Sequence, residues 1–243
     1  MDGEVQSLDG RVCLVTGSAR KVGSAMAIAL GAAGADVAVH YMGSKDAAEK
    51  TAAKAGHGAI TVRADLTRPK QVDRMFDTVE RRLGPVDILI NNVGNFLLKP
   101  LAKVSIEEWH AIIDENLHCT FYCCRRALPG MRKKKYGRII NMGYGPANRL
   151  EPLEGTGLYH LAKTALLVYT KAMAKEEASR GITVNMVSPG TIFTSVNRPS
   201  VKTIPAGRYA SYSDLVNAVL FLLKDESSYV TGNNLIVAGG KYV

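Results

Sequence analysis

Short runs of β-branched residues alternate with alanine-rich amphipathic stretches along the whole chain, and this rhythm restricts the fold more than any other feature. Candidate strands are Val12–Val15, Asp36–His40, Ala59–Arg63, Ile88–Ile90, Gly137–Met142, Thr183–Val187 and Asn234–Val237. Helical patterns fall near residues 22–33, 45–55, 69–82, 105–131, 157–179 and 212–224. Apolar strands joined by helices predict a seven-stranded parallel sheet covered on both faces. Right-handed crossovers make it a doubly wound α/β sheet, with its ligand crevice beyond the carboxyl ends of the strands. There is no repeat, low-complexity tract or linker, so the expectation is one domain spanning residues 1–243. Residues 1–9 are expected to be flexible. The irregular stretch 191–209 follows the sixth strand, on the side where a ligand belongs.

Composition narrows the class. Met1 to Gly10 lacks the apolar centre of a signal peptide, and no apolar run approaches the ~20 residues needed to cross a bilayer. Four cysteines, Cys13, Cys119, Cys123 and Cys124, show no metal-ligand spacing and read as reduced core residues of a cytoplasmic protein. No metal and no membrane partner are expected. The net charge of +9 raises the question of nucleic acid. The densest basic run, Arg132 to Lys135, reads as a solvated turn between a helix and a strand. No aromatic residues interleave with it to stack bases, so no nucleic-acid partner is expected. The surplus charge suits an anionic cofactor or substrate.

Val15-Thr16-Gly17-Ser18-Ala19-Arg20-Lys21-Val22-Gly23 leaves a strand and enters a helix. Gly17 permits a tight turn, Gly23 allows the helix close to the sheet, and the helix N-terminus offers unpaired N–H groups to a phosphate. Ser18, Arg20 and Val22 belong to the same turn, and Lys21 stands where a middle glycine is usual. At the end of the second strand, His40-Tyr41-Met42-Gly43-Ser44-Lys45 contains no acid to bind the ribose hydroxyls of NAD. Arg20, Lys21, Ser44 and Lys45 suit the 2′-phosphate of NADP instead, with Tyr41 beside them. Further along, Tyr159 and Lys163 lie four residues apart on a helical pattern and share one face. A fixed ammonium favours phenolate over phenol, so Lys163 is expected to lower the pKa of Tyr159 from its usual value near ~10.

Assembled in order, these residues resemble the short-chain dehydrogenase/reductase family over nearly the whole chain, which implies a Rossmann-type fold. Asp65-Leu66 matches the adenine-contacting pair and Asn91-Asn92-Val93-Gly94 the family's Asn-Asn-Ala-Gly. Asn116 in Glu115-Asn116-Leu117 matches the helix asparagine that holds a proton-relay water. Ser188-Pro189-Gly190 matches the turn beside the nicotinamide, and Tyr229 to Gly232 with Gly239-Gly240 the C-terminal signature. The resemblance implies hydride transfer from NADP(H) to a carbonyl or imine, with Tyr159 as proton donor and Lys163 assisting. Asn116 would hold its water through a local helix distortion, while Asn92, Gly94, Pro189 and Gly190 line the cofactor crevice. It implies, too, a homotetramer or homodimer built through the helices at 105–131 and 157–179.

Two places depart from the family. Asn141-Met142-Gly143-Tyr144 puts Tyr144 where a catalytic serine is usual. Tyr144 either supplies a hydroxyl from another direction or packs as a wall. The stretch after Gly190 is a shortened substrate lid. The near relatives by resemblance are 3-oxoacyl-carrier-protein reductases and pteridine reductases. They imply a small or thioester-carried carbonyl substrate, or else a dihydropteridine. The competing class is an NADPH-binding sensor without turnover.

Overall fold

The computed structural model describes residues 7–56, 58–195 and 198–242. Seven strands, β1 (Val12–Val15), β2 (Asp36–Tyr41), β3 (Ile60–Arg63), β4 (Ile88–Asn91), β5 (Gly137–Met142), β6 (Ile182–Pro189) and β7 (Asn234–Val237), form one sheet. Its order is β3-β2-β1-β4-β5-β6-β7, and every pairing is parallel. The chain winds outward from β1 to β3 and returns to place β4 beside β1. The strand order therefore reverses between β1 and β4, which opens a crevice at their carboxyl ends.

Strand alternation divides the core. Leu14, Leu89, Ile139 and Val184 face one layer, where α3 (Pro69–Arg82) and α5 (Cys119–Lys134) pack Phe76, Val79, Cys123 and Met131 against them. Cys13, Val15, Ile90 and Ile140 face the other, covered by α1 (Lys21–Ala32), α2 (Lys45–Ala55) and α7 (Tyr212–Leu223). The four cysteines are free and buried, and burial raises all four thiols, that of Cys119 to about 12. Such thiols are inert core groups at neutral pH.

Three sequence expectations change. The stretch 105–131 is two helices, α4 (Ile106–Ile113) and α5, joined by a π-helical segment over Asp114–His118. The basic run is not a solvated turn: Arg132, Lys133 and Lys134 form the last turn of α5. There Arg132 pairs with the buried Glu177 and Lys134 with the buried Asp87, whose other oxygen accepts from Val12 N–H. Cations at a helix C-terminus complement its dipole, and a buried carboxylate needs such a partner. Lys135 then ends the helix in a left-handed conformation, φ 51°. Of the segment expected to be flexible, residues 1–6 lie outside the described residues, while Leu8 is buried and donates its N–H to Ala33 O.

No helix among the described residues is long and apolar enough to cross a membrane. Within the described part of 191–209 the structure holds one short 3₁₀ turn, Val201–Thr203, and no α-helix. The two ends of this stretch meet in a parallel bridge between Ile192 and Ala210.

Candidate active site at the carboxyl edge of the sheet

The turn after β1 is held by hydrogen bonds from two neighbouring strands. Gly17, at φ 61°, donates its N–H to His40 Nδ1 at 2.9 Å. His40 Nε2 then carries the proton and donates to Ala64 O. Burial lowers the His40 pKa to about 4, so the ring is neutral near pH 7. Asn92, after β4, donates its side-chain amide to Thr16 O and Gly17 O, and Thr16 Oγ accepts from Asn92 N–H. A Cβ on Gly23 would lie 2.5 Å from Gly17 O and 2.7 Å from Asn92 Nδ2. Glycine at 23 is thus obligatory, as its place in the motif predicts. Lys21 takes the left-handed backbone (φ 53°), a conformation disfavoured for side-chain-bearing residues by about 1–2 kcal/mol.

No side chain caps the N-terminus of α1, and its first turn holds no acid. Its leading N–H groups have no intrahelical acceptor, which suits an anion. Arg20 and Lys21 are exposed there. Lys45 is also exposed, paired with Glu49 at 3.6 Å, a contact worth little in solvent. Ser44 is the N-cap residue of α2, and Tyr41 packs beside the core at the end of β2. Ser18 is not available to a ligand: it is fully buried, its hydroxyl donates to Val15 O and its N–H to His40 O. Asp65 caps its own turn by accepting from Thr67, and Leu66 is buried.

The groups predicted for chemistry converge. A Cβ on Gly94 would collide with Asn116 Oδ1 and lie 3.3 Å from Lys163 Nζ. Asn116 sits in the π segment, and its side-chain N–H groups donate to Asn95 O and Ile112 O at 3.0 Å each. Its Oδ1 is buried with no partner among the described residues. The distortion at this position is the one the resemblance implied. Tyr159 and Lys163 lie in the first two turns of α6 (Gly157–Glu177), and the ammonium is 5.7 Å from the phenol ring centre. Lys163 is buried, donates to Met142 O at 2.8 Å, and is brought down to about 8 by desolvation. Burial, with Tyr144 adding to it, pushes the Tyr159 phenol well above its ordinary value. The sequence led to the opposite expectation; here desolvation dominates, while the ammonium is turned to a carbonyl.

Tyr144 lies two residues beyond β5. Gly143 before it has no room for a Cβ, which would strike Ser188 Oγ and come within 2.6 Å of Met186 Sδ. The Tyr144 ring meets Tyr159 edge-on at 5.1 Å, and Phe96 meets Tyr159 from another side at 5.0 Å. The Tyr144 hydroxyl lies near Thr156, whose own proton goes to Leu153 O, and burial raises the phenol above its ordinary value. Gly190 donates its N–H to Val237 O, which fixes the Pro189-Gly190 turn beside β7.

His40, Thr16 and Thr156 were missed as site residues. A histidine ending an otherwise apolar strand was a usable signal for the first. The hydroxyl partners are set by long-range packing and left none. One prediction follows from His40. Its folded pKa lies below the unfolded value near ~6.5, so acid stabilises the unfolded chain from pH 6.5 down to about 4. In urea unfolding, the margin of wild type over His40→Asn should shrink by about 2–3 kcal/mol between pH 7 and pH 4.5. A constant margin would show that His40 does not titrate in this way.

The residues fit a dinucleotide: Gly23 leaves no room for a side chain, the α1 N-terminus is uncapped, and Asn116 Oδ1 is an orphan beside Gly94 and Lys163. The sequence model of the family described as enoyl-(acyl carrier protein) reductase matches residues 17–241. The chain is 35% identical to 3-oxoacyl-[acyl-carrier-protein] reductase of Escherichia coli over 245 residues, covering 98% of this chain and 99% of that one. It is 35% identical over 241 residues to an acetoacetyl-CoA reductase of Shinella zoogloeoides, covering 96% and 98%. Among solved structures, a blue fluorescent protein from a metagenomic library, in complex with NADPH, superposes with a TM-score of 0.91 at 35% identity, covering 98% and 100%. On a family model matched over residues 17–241 and relatives 35% identical over nearly their whole length, the chain belongs to the short-chain dehydrogenase/reductase family.

Proposed function

We propose that the protein is an NADPH-dependent carbonyl reductase acting on small 3-oxoacyl-type ketones, free or thioester-carried. The observation that carries this reading is the convergence of Gly94, Asn116 and Lys163, one turn from Tyr159, at the carboxyl edge of the sheet. Relatives named for 3-oxoacyl and acetoacetyl reduction support the substrate class. So do the exposed apolar residues on the two loops that meet beside Tyr159, Phe96 and Leu98 on one, Leu153 on the other.

When bound, NADPH supplies the hydride. The α1 N-terminus and its exposed cations hold phosphate, and Asn92 keeps the glycine turn in shape. Tyr159, protonated because it is buried, donates its proton to the oxygen of the reduced carbonyl. Lys163 places a positive charge where negative charge develops, and Asn116 Oδ1 offers an acceptor for a relay water. Tyr144 serves as a wall: its ring stands edge-on to Tyr159 beside the reacting groups. That leaves Tyr159 as the donor to the substrate oxygen. The tyrosine in the serine's place is what favours the second reading, an NADPH-binding protein without turnover. Exposed Phe121, Leu161 and Val168 on α5 and α6 support assembly through those helices.

NADPH oxidation against acetoacetyl thioesters, diketones, quinones and dihydropterins tests the reading. Turnover of the ketones supports it; turnover of dihydropterins alone replaces the substrate class; NADPH binding without turnover of any of them favours the second reading. Cofactor choice has its own prediction. Arg20→Ala/Lys21→Gly should raise the NADPH KM by about tenfold or more, because two charge-assisted contacts are lost, and leave the NADH KM within twofold. Comparable KM values for both cofactors in the wild type would end the preference.

A further inference from the structure

The segment after β7 turns back on itself. Gly239 (φ 60°) and Gly240 (φ 82°) both take the left-handed backbone, and Lys241 donates its N–H to Ala238 O. The turn lies against the far end of the lid stretch. Gly239 O accepts from Ala206 N–H at 3.0 Å, a Cβ on Gly239 would be 3.1 Å from Ile204, and one on Gly240 would be 3.2 Å from Pro205.

Beyond that turn, Tyr242 reaches the catalytic loop. Its ring lies directly over Gly145, and any Cβ there would collide with it. Gly145 follows Tyr144, whose ring edges Tyr159 at 5.1 Å. The Tyr242 hydroxyl is half-buried near Tyr144 and Arg149, and Arg149 O in turn accepts from His160, the residue after Tyr159. A continuous packed path therefore runs from the lid end through residues 239–242 to the loop that carries Tyr144. Glycine at 145 leaves the loop's backbone open to close contact, and the Tyr242 ring is what packs on it there.

The geometry points to Tyr242 as a positioning residue for substrate: by seating on Gly145 it fixes Tyr144 as a wall beside Tyr159 and couples that wall to the lid. The inference rests on the carbonyl-reductase reading. Tyr242 touches neither the glycine turn nor the groups around Asn116 among the contacts described above, so its effect should fall on substrate and not on cofactor.

The test compares wild type with Tyr242→Ala, Tyr242→Phe and Gly145→Ala in steady-state reduction of an acetoacetyl thioester, with NADPH affinity followed by cofactor fluorescence. Tyr242→Ala should raise the ketone KM by about tenfold, the scale on which small misplacements act, with kcat within about twofold and NADPH affinity unchanged. Tyr242→Phe keeps the ring and should restore the wild-type KM. Gly145→Ala displaces the ring and should match Tyr242→Ala, and the double variant should be no worse than either alone. An unchanged KM in Tyr242→Ala, additive effects in the double variant, or a parallel loss of kcat and NADPH affinity would overturn the inference while wild-type turnover stands. A wild type that reduces no ketone would overturn the carbonyl reading and this inference with it.

Discussion

Tyr159→Phe should lose about 10³-fold in kcat/KM toward whichever ketone the wild type reduces best, within the range general acid catalysis supplies. The substitution removes one oxygen and little else. Phe at 159 retains the edge-on contacts with Phe96 and Tyr144, and the residue lies inside α6, where either ring fits. NADPH affinity should stay within about twofold, because the contacts assigned to phosphate lie on α1. The hydroxyl being removed is protonated over the whole working range, since burial raises it, so the wild-type rate should show no loss of this acid near pH 7. A variant that retains more than a tenth of wild-type turnover would mean that the proton comes from elsewhere. Thr156 and Tyr144 would then be the groups to examine.

Lys163→Met should separate stability from activity. A buried ammonium without a carboxylate partner among the described residues is costly, and desolvation alone brings Lys163 down to about 8 from 10.5. Because the folded pKa is below the unfolded one, the cost is fully present below pH 8 and is relieved as pH rises toward 10.5. A depression of this size corresponds to about 3 kcal/mol, offset in part by the bond to Met142 O. At pH 7 the methionine variant should therefore be more stable by about 2 kcal/mol in urea unfolding, with the gain fading by pH 10. Its kcat/KM should fall by about 10²-fold or more, since it lacks the charge set beside Gly94 and Asn116. A variant less stable than wild type at pH 7 would show that the Met142 contact outweighs the desolvation.

The two experiments address what the sequence made legible and what it did not. The sheet was readable because apolar and β-branched residues dominate each strand, and β1, β5 and β7 have the bounds their sequence predicts. The glycine turn was readable for a local reason: only glycine fits at 23. The α4–α5 junction was not readable from periodicity, because a π segment of five residues leaves the apolar pattern on either side intact. Resemblance alone supplied it. The basic run misled because Glu177 and Asp87, which neutralise two of its members, lie far away in the chain. The raised phenol of Tyr159 was hidden for the same kind of reason. A four-residue spacing says that two groups share a face, but not how much water reaches either. Tyr144 is the sharpest case. Its identity announced a departure from the family, while the edge-on seat of its ring against Tyr159 depended on packing that no local motif describes.

The bridge between Ile192 and Ala210 joins the two ends of the lid stretch, and the bond from Ala206 N–H to Gly239 O ties its far end to the segment after β7. With its ends already joined, the intervening chain behaves as a closed loop whose length is nearly independent of the sheet beneath it. Doubling such a loop costs only about 0.6 kcal/mol in closure entropy. Substrate preference in this scaffold is therefore readily revised: residues can be added or lost between 198 and 203, ahead of the contacts of Ile204 to Ala206 with Gly239 and Gly240, without disturbing the strands that hold Tyr159, Lys163 and the glycine turn in register.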